Sequence, residues 1–148
     1  MAKTFIFFKP KWTAVSRIKR PLMKTLKSVL ITGANAGLGL DSARQLASDK
    51  SIEKVYMACR NEEKAFAAKA HLESVTGRQI FEIVLLDVTK LDSVRKAATE
   101  LQDPIDAVIL NAGGTGGTFP NAQTADGVTN IFAVNVLGHA VLIDELLK

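Results

Sequence analysis

The stretch that decides the reading is Thr32-Gly33-Ala34-Asn35-Ala36-Gly37-Leu38-Gly39. It follows the apolar run Ser28–Thr32 (SVLIT), which predicts a short strand. It opens residues 38–49, where Leu38, Ala43, Leu46 and Ala47 recur at helical spacing. Strand, glycine turn and helix in that order are the context in which such a turn carries chemistry. Gly33 can leave the strand with backbone angles closed to other residues. Gly37 lacks a side chain where a pyrophosphate must approach the backbone, and Gly39 lets the helix pack close to the sheet. The helix N-terminus offers free N–H groups and the positive end of its dipole to an anion. Asn35, Ala36 and Leu38 complete the turn and join Gly33, Gly37 and Gly39 as candidate phosphate-binding residues. The rival reading, a glycine-rich turn that binds nothing, fits its place between strand and helix less well.

Working outward, the pattern keeps alternating. Strands are expected at residues 54–58 (KVYMA), 80–86 and 106–110 (DAVIL). Helices are expected at 62–75, ended by Gly77, at 91–101, closed off by Pro104, and at 127–147, long and largely apolar. Residues 113–125 form a Gly-rich loop, and Gly114-Thr115-Gly116-Gly117 suits a substrate-side loop. Strands separated by helices imply βαβ units and a parallel sheet. Continuously apolar strands such as Val29–Ile31 fit a sheet covered on both faces. The expected fold is α/β: a Rossmann-type parallel sheet with helices on both faces, truncated after the fourth strand and its following helix.

Composition narrows the class. The chain has 148 residues, 47% hydrophobic and 23% charged, enough for one domain with a core. One Cys excludes a disulfide scaffold, and one Cys with two His cannot form a structural zinc site. No apolar run approaches the roughly 18 residues of a membrane span. The net charge of +4 is unevenly placed: residues 1–40 hold eight bases and no acid, residues 41–148 eleven bases and fifteen acids. The body is mildly acidic, which argues against a nucleic-acid partner. Residues 1–26 read as a basic N-terminal extension, and 27–148 as the nucleotide-binding domain. The extension has three readings: a solvated arm, an organellar transit peptide, or a membrane-surface segment. Charge runs are usually solvated, which favours the first. A cytoplasmic protein is expected, or a plastid or mitochondrial one if the arm is a transit peptide.

The TGxxxGxG spacing of Thr32–Gly39 resembles the short-chain dehydrogenase/reductase family, and the resemblance runs over about residues 27–148. It implies a nicotinamide dinucleotide cofactor and a small carbonyl or alcohol substrate. In a dinucleotide fold, an acid roughly 20 residues past the glycines holds the ribose 2′-OH of NAD. Here that place is Cys59, followed by Arg60. No carboxylate stands there to repel a phosphate, and a guanidinium pairs with the 2′-phosphate of NADP. Ala58-Cys59-Arg60-Asn61 looks like the NADP(H)-preferring members; Cys59 itself reads as packing. Asp87-Val88 resembles the pair that touches adenine, although Asp87 is equally suited to cap the next turn. Asn111-Ala112-Gly113 matches the family's NAG motif, which lines the cofactor cleft.

Val134-Asn135-Val136-Leu137-Gly138-His139 looks like the helix that bears the tetrad Asn, so Asn135 would hold a water in a proton relay on a locally distorted helix. His139 reads as a packing or hydrogen-bonding residue. The family's proton donor is a Tyr with a Lys four residues later, helped by a Ser upstream. The sole Tyr, Tyr56, lies in the second strand and is followed four residues on by Arg60, so no Tyr-x-x-x-Lys occurs. The expectation is therefore a fragment that builds the cofactor half of an oxidoreductase and is inactive alone. The alternative is a non-catalytic dinucleotide-binding or interaction module. An apolar sheet edge and a last helix short of partners would make the isolated chain poorly soluble or partner-dependent. The resemblance implies a homo-oligomer at full length. Several stretches, among them Met57–Arg60, Thr124–Gly127 and Leu137–His139, are similar to retinol dehydrogenases and light-dependent protochlorophyllide reductases. Val136 departs from the His those groups carry.

Overall fold

The computed structural model describes residues 25–115 and 122–148. The basic arm up to Lys24, and Gly116 and Gly117 of the glycine-rich loop, lie outside the described residues. Four strands, β1 (Ser28–Thr32), β2 (Lys54–Cys59), β3 (Phe81–Leu85) and β4 (Ala107–Ile109), form one parallel sheet in the order β3-β2-β1-β4. β1 is buried at every position and β2 at all but its first, because both are central. β3 alternates between buried and exposed positions, and β4 is only half-buried, as edge strands are.

Successive strand side chains point to opposite faces, so each strand feeds two cores. Val29, Ile31, Val55, Met57 and Phe81 pack under α1 (Gly37–Leu46) and α2 (Glu62–Thr76), joined by Ala43 and Leu72. Leu30, Tyr56, Ala58 and Val84 pack on the other face with Val94 of α3 (Leu91–Glu100) and Leu142 of the last helix. A completely buried Leu72 or Phe81 stabilises the fold by roughly 1.5–3 kcal/mol through apolar burial. The Rossmann-type sheet with helices on both faces is thus present.

Element ends differ from the expectation where side chains intervene. α1 stops at Leu46 rather than at 49, and Arg78 binds the chain that follows: its guanidinium donates to the carbonyls of Ala47 (3.0 Å), Asp49 (2.8 Å) and Ile52 (2.6 Å). α2 ends at Gly77 as expected, and the glycine adopts φ +67°. β4 loses Asp106, whose carboxylate accepts from Lys27 N and Ser28 N.

The long helix expected from residue 127 is the main correction. Gly127 sits in a turn at φ +77°, and the helix starts only at α4 (Asn130–Phe132), with Thr129 Oγ1 accepting from Phe132 N. A π-helical segment follows (Ala133–Leu137), and α5 (Gly138–Leu146) completes it. Apolar periodicity alone does not register the extra residue of a π turn.

Candidate functional site

The strand order reverses between β1 and β4, which opens a crevice at the carboxyl ends of the strands. A cleft of about 760 Å³ occupies that place. Its lining brings together nine sequence-predicted residues: Gly33, Asn35, Ala36, Arg60, Asp87, Val88, Asn111, Ala112 and Gly113. Gly37, Leu38, Gly39 and Asn135 are not in the lining.

The glycine turn is fixed from below. Gly33 takes φ +70°, and its N–H donates to Ala58 O at 2.7 Å. A Cβ on Gly39 would run into the Gly33 carbonyl and come within 2.6 Å of Asn111 Nδ2, so only glycine allows this approach. Asn111 Nδ2 donates to Thr32 O (2.9 Å) and Gly33 O (3.4 Å), which pins the turn to β4. Around Gly37 the space is open: nothing lies within 4 Å of where its Cβ would stand. Leu38 is exposed.

α1 begins at Ala36, which supplies no side-chain cap, and its first turn carries no acid. Its leading amide N–H groups therefore lack a side-chain acceptor. α2 differs: Asn61 Oδ1 accepts from Lys64 N at 2.8 Å, and Glu62 and Glu63 occupy its first turn. An uncapped, acid-free N-terminus above a glycine turn fits a diphosphate.

At the β2 end of the cleft, Arg60 and Lys64 both line the wall and are exposed. Lys64 escaped the sequence reading; its signal is the Asn61 cap, which turns the start of α2 towards the end of β2. Cys59 is buried, and burial pushes its thiol up to about 11, against the weaker opposing pull of the Ala34 and Asn35 amides. It is an inert packing thiol. Asp87 Oδ1 accepts from Thr89 N (3.0 Å) and Thr89 Oγ1 (2.7 Å), so the turn-capping role is realised while the residue also lines the cleft.

Asn135 stands in the π-helical segment. Its Nδ2 donates to Ile131 O (2.8 Å) and Gly114 O (2.7 Å), and Oδ1 accepts from Gly114 N (3.1 Å). Both amide protons are thus committed, and the side chain clips the loop after β4 to the helix. Tyr56 is remote from the cleft lining. Its hydroxyl donates to Asp103 at 3.0 Å, and burial first, then Asp103, holds its pKa above the ordinary phenol value. No group of three or more His, Cys, Asp or Glu suited to a metal occurs among the described residues, nor any helix long and apolar enough to cross a membrane.

Sheet order, crevice and glycine turn together define a Rossmann-type nucleotide-binding architecture. A family model described as short chain dehydrogenase matches residues 27–148, and the chain belongs to that family of oxidoreductases, which use nicotinamide dinucleotides. It is similar to retinol dehydrogenase 11 of Homo sapiens, 34% identical over 125 residues that span 82% of this chain and 38% of the relative. It is also similar to the chloroplastic protochlorophyllide reductase B of Hordeum vulgare, 40% identical over 131 residues, 84% of this chain and 32% of the relative. Among solved structures, the NADPH-bound carbonyl reductase from chicken fatty liver matches with a TM-score of 0.64 and 26% identity, covering 84% of this chain and 51% of that one. The chain spans less than half the length of these curated relatives.

Proposed function

We propose that this chain forms the NADP(H)-binding part of a reductase or dehydrogenase acting on a small carbonyl or alcohol. The single observation that carries the NADP(H) preference is the pair of cations, Arg60 and Lys64, on the cleft wall at the end of β2, where no carboxylate stands. Two exposed cations there suit a ribose 2′-phosphate. Charge-assisted hydrogen bonds of this kind contribute roughly 1.5–3 kcal/mol, enough for about tenfold preference or more.

On this reading the amides of Gly33, Asn35, Ala36, Gly37, Leu38 and Gly39 and the α1 dipole hold the diphosphate. Asp87 and Val88 flank the adenine, and Asp87 keeps its Oδ2 for it, since Oδ1 serves Thr89. Asn111, Ala112 and Gly113 form the floor. The bound dinucleotide supplies hydride chemistry at its nicotinamide. Asn135 has no N–H left to give, so a relay water that it holds must donate to it. The Tyr-x-x-x-Lys of the family's reaction does not occur among the 148 residues. Ile131, Phe132 and Val136 on the last helices are exposed and suit assembly of the whole protein through that face.

Calorimetric titration tests the reading. NADPH is expected to bind the whole protein, NADH more weakly, and Arg60→Ala to close most of the gap. Equal affinity of the parent protein for both coenzymes overturns the 2′-phosphate assignment; no heat from either overturns the cofactor reading.

A further inference from the structure

His139 is buried, 6% exposed, and lies behind the cleft rather than in its lining. Its Nε2 is 3.1 Å from Thr32 Oγ1, a contact across 107 positions of sequence. That oxygen already accepts two backbone N–H groups, from Asn111 and from Ala112, each at 2.9 Å. A hydroxyl oxygen has two lone pairs, and both are used. Its one proton therefore goes to His139, and Nε2 must be a bare acceptor. The ring proton then sits on Nδ1, and the Asn135 backbone lies near enough to the imidazole to pull weakly towards the protonated form.

The bonds continue on either side. Asn135 clips Gly114 through its side chain, and Thr32 grips Asn111 and Ala112 of the cleft floor. The helix cannot shift to compensate, because Gly138 packs its backbone onto Val88, where a Cβ would come within 2.9 Å of the Val88 Cβ. We propose that neutral His139 is a positioning residue for the dinucleotide cleft: it locks the Asn135 segment to the Thr32–Asn111–Ala112 floor, and its protonation opens that lock. This rests on the dinucleotide reading of the cleft.

A proton on Nε2 sets two donors face to face, since Thr32 has no lone pair left for it. Burial accordingly holds the imidazole below its ordinary 6.5, with the Asn135 carbonyl pulling weakly the other way; no charged side chain contributes. The facing elements bear this out. β1 presents Thr32, the helix presents the Asn135 carbonyl, and Asp87, beside Val88, spends Oδ1 on Thr89. The folded-state value is depressed, so the associated stability is present above 6.5 and is lost as pH falls from there through the folded value.

The test uses the whole protein, 15N-labelled at histidine. Within these residues there are two imidazoles, His139 and the exposed His71 on α2, told apart by assignment. Long-range 1H–15N spectra should show His139 as the Nδ1–H tautomer, titrating below the ordinary imidazole value of 6.5. An Nε2–H tautomer, or titration of His139 at or above 6.5, overturns the proposal. In a second arm, NADPH affinity is measured at about pH 7.5 and about pH 5.5 for the parent protein and His139→Gln, and the parent should lose at least about threefold more on acidification. The ligand's own phosphate titrates equally in both experiments and cancels. Parallel losses overturn the coupling. Thr32→Ser should retain the parent pH profile and Thr32→Val should lose it; a Val variant that keeps the profile also overturns it. No NADPH binding at either pH, with the tautomer as expected, overturns the cofactor reading while leaving the lock itself standing.

Discussion

At the N-terminal edge of the sheet, Lys54 Nζ reaches Asp103 at 2.8 Å and Glu82 at 2.9 Å, and Tyr56 donates to the same Asp103 oxygen at 3.0 Å. Nearby, Asp106 and Ser28 close on each other, and Arg78 gathers three carbonyls behind α1. At the C-terminal edge, Arg60 and Lys64 have no ion-pair partner among the described residues, and the start of α1 has no cap. One edge satisfies its polar groups internally, whereas the other holds cations and amide donors open to a ligand. A polar group left open in a cleft is where binding energy is available, while one already paired mostly stabilises the fold.

Four substitutions would break or sharpen this contrast. Gly39→Val forces a side chain into the Gly33 carbonyl and Asn111 Nδ2; NADPH affinity should drop at least about a hundredfold, with overpacking costing about 1–3 kcal/mol by urea titration. A variant that still binds would detach the turn from the ligand. Arg60→Ala should weaken NADPH about tenfold to a hundredfold, leave NADH within about twofold, and not move the melting temperature. A matching loss for NADH would erase the distinction between the edges.

Arg78→Ala belongs to the closed edge. It should cost about 1–3 kcal/mol in stability, measured by denaturant midpoint, with NADPH affinity unchanged. A large affinity loss would mean that the two edges are coupled. Asp103→Asn should have the smallest effect, a slight lowering of the midpoint near neutrality. Hydrogen bonds from Lys54, then Tyr56, hold the Asp103 carboxyl below its ordinary 3.8. The stability tied to it is therefore present above 3.8 and lost as pH falls through the lower folded value, and the Asn variant should lack that acid dependence. An unchanged acid limb would exclude Asp103 as its source.

Legibility followed sequence distance. β1, the turn and the start of α1 are contiguous, so the strand–turn–helix pattern of residues 28–39 is legible in the sequence and is present in the fold. Gly77 as the end of α2 was visible for the same reason. Lys64 was missed because its relevance depends on where the Asn61 cap points the helix. The helix start at Asn130 rather than 127 is not visible in the apolar spacing, whereas the distortion around Asn135 implied by the family resemblance is present as the π-helical segment Ala133–Leu137. Asp87 was left between two roles, and the structure realises the cap without removing the residue from the cleft.

Alternating apolar runs and glycine spacing determined that this chain makes a parallel α/β sheet with a glycine turn between β1 and α1, because burial and backbone sterics act locally and repeat along the chain. The tertiary structure alone decided that Asn111 pins the turn, that Arg78 closes α1, and that His139 meets Thr32 across 107 positions. Hydrogen-bond partners at such separation are chosen by how the sheet orders its strands, and no local pattern encodes that order.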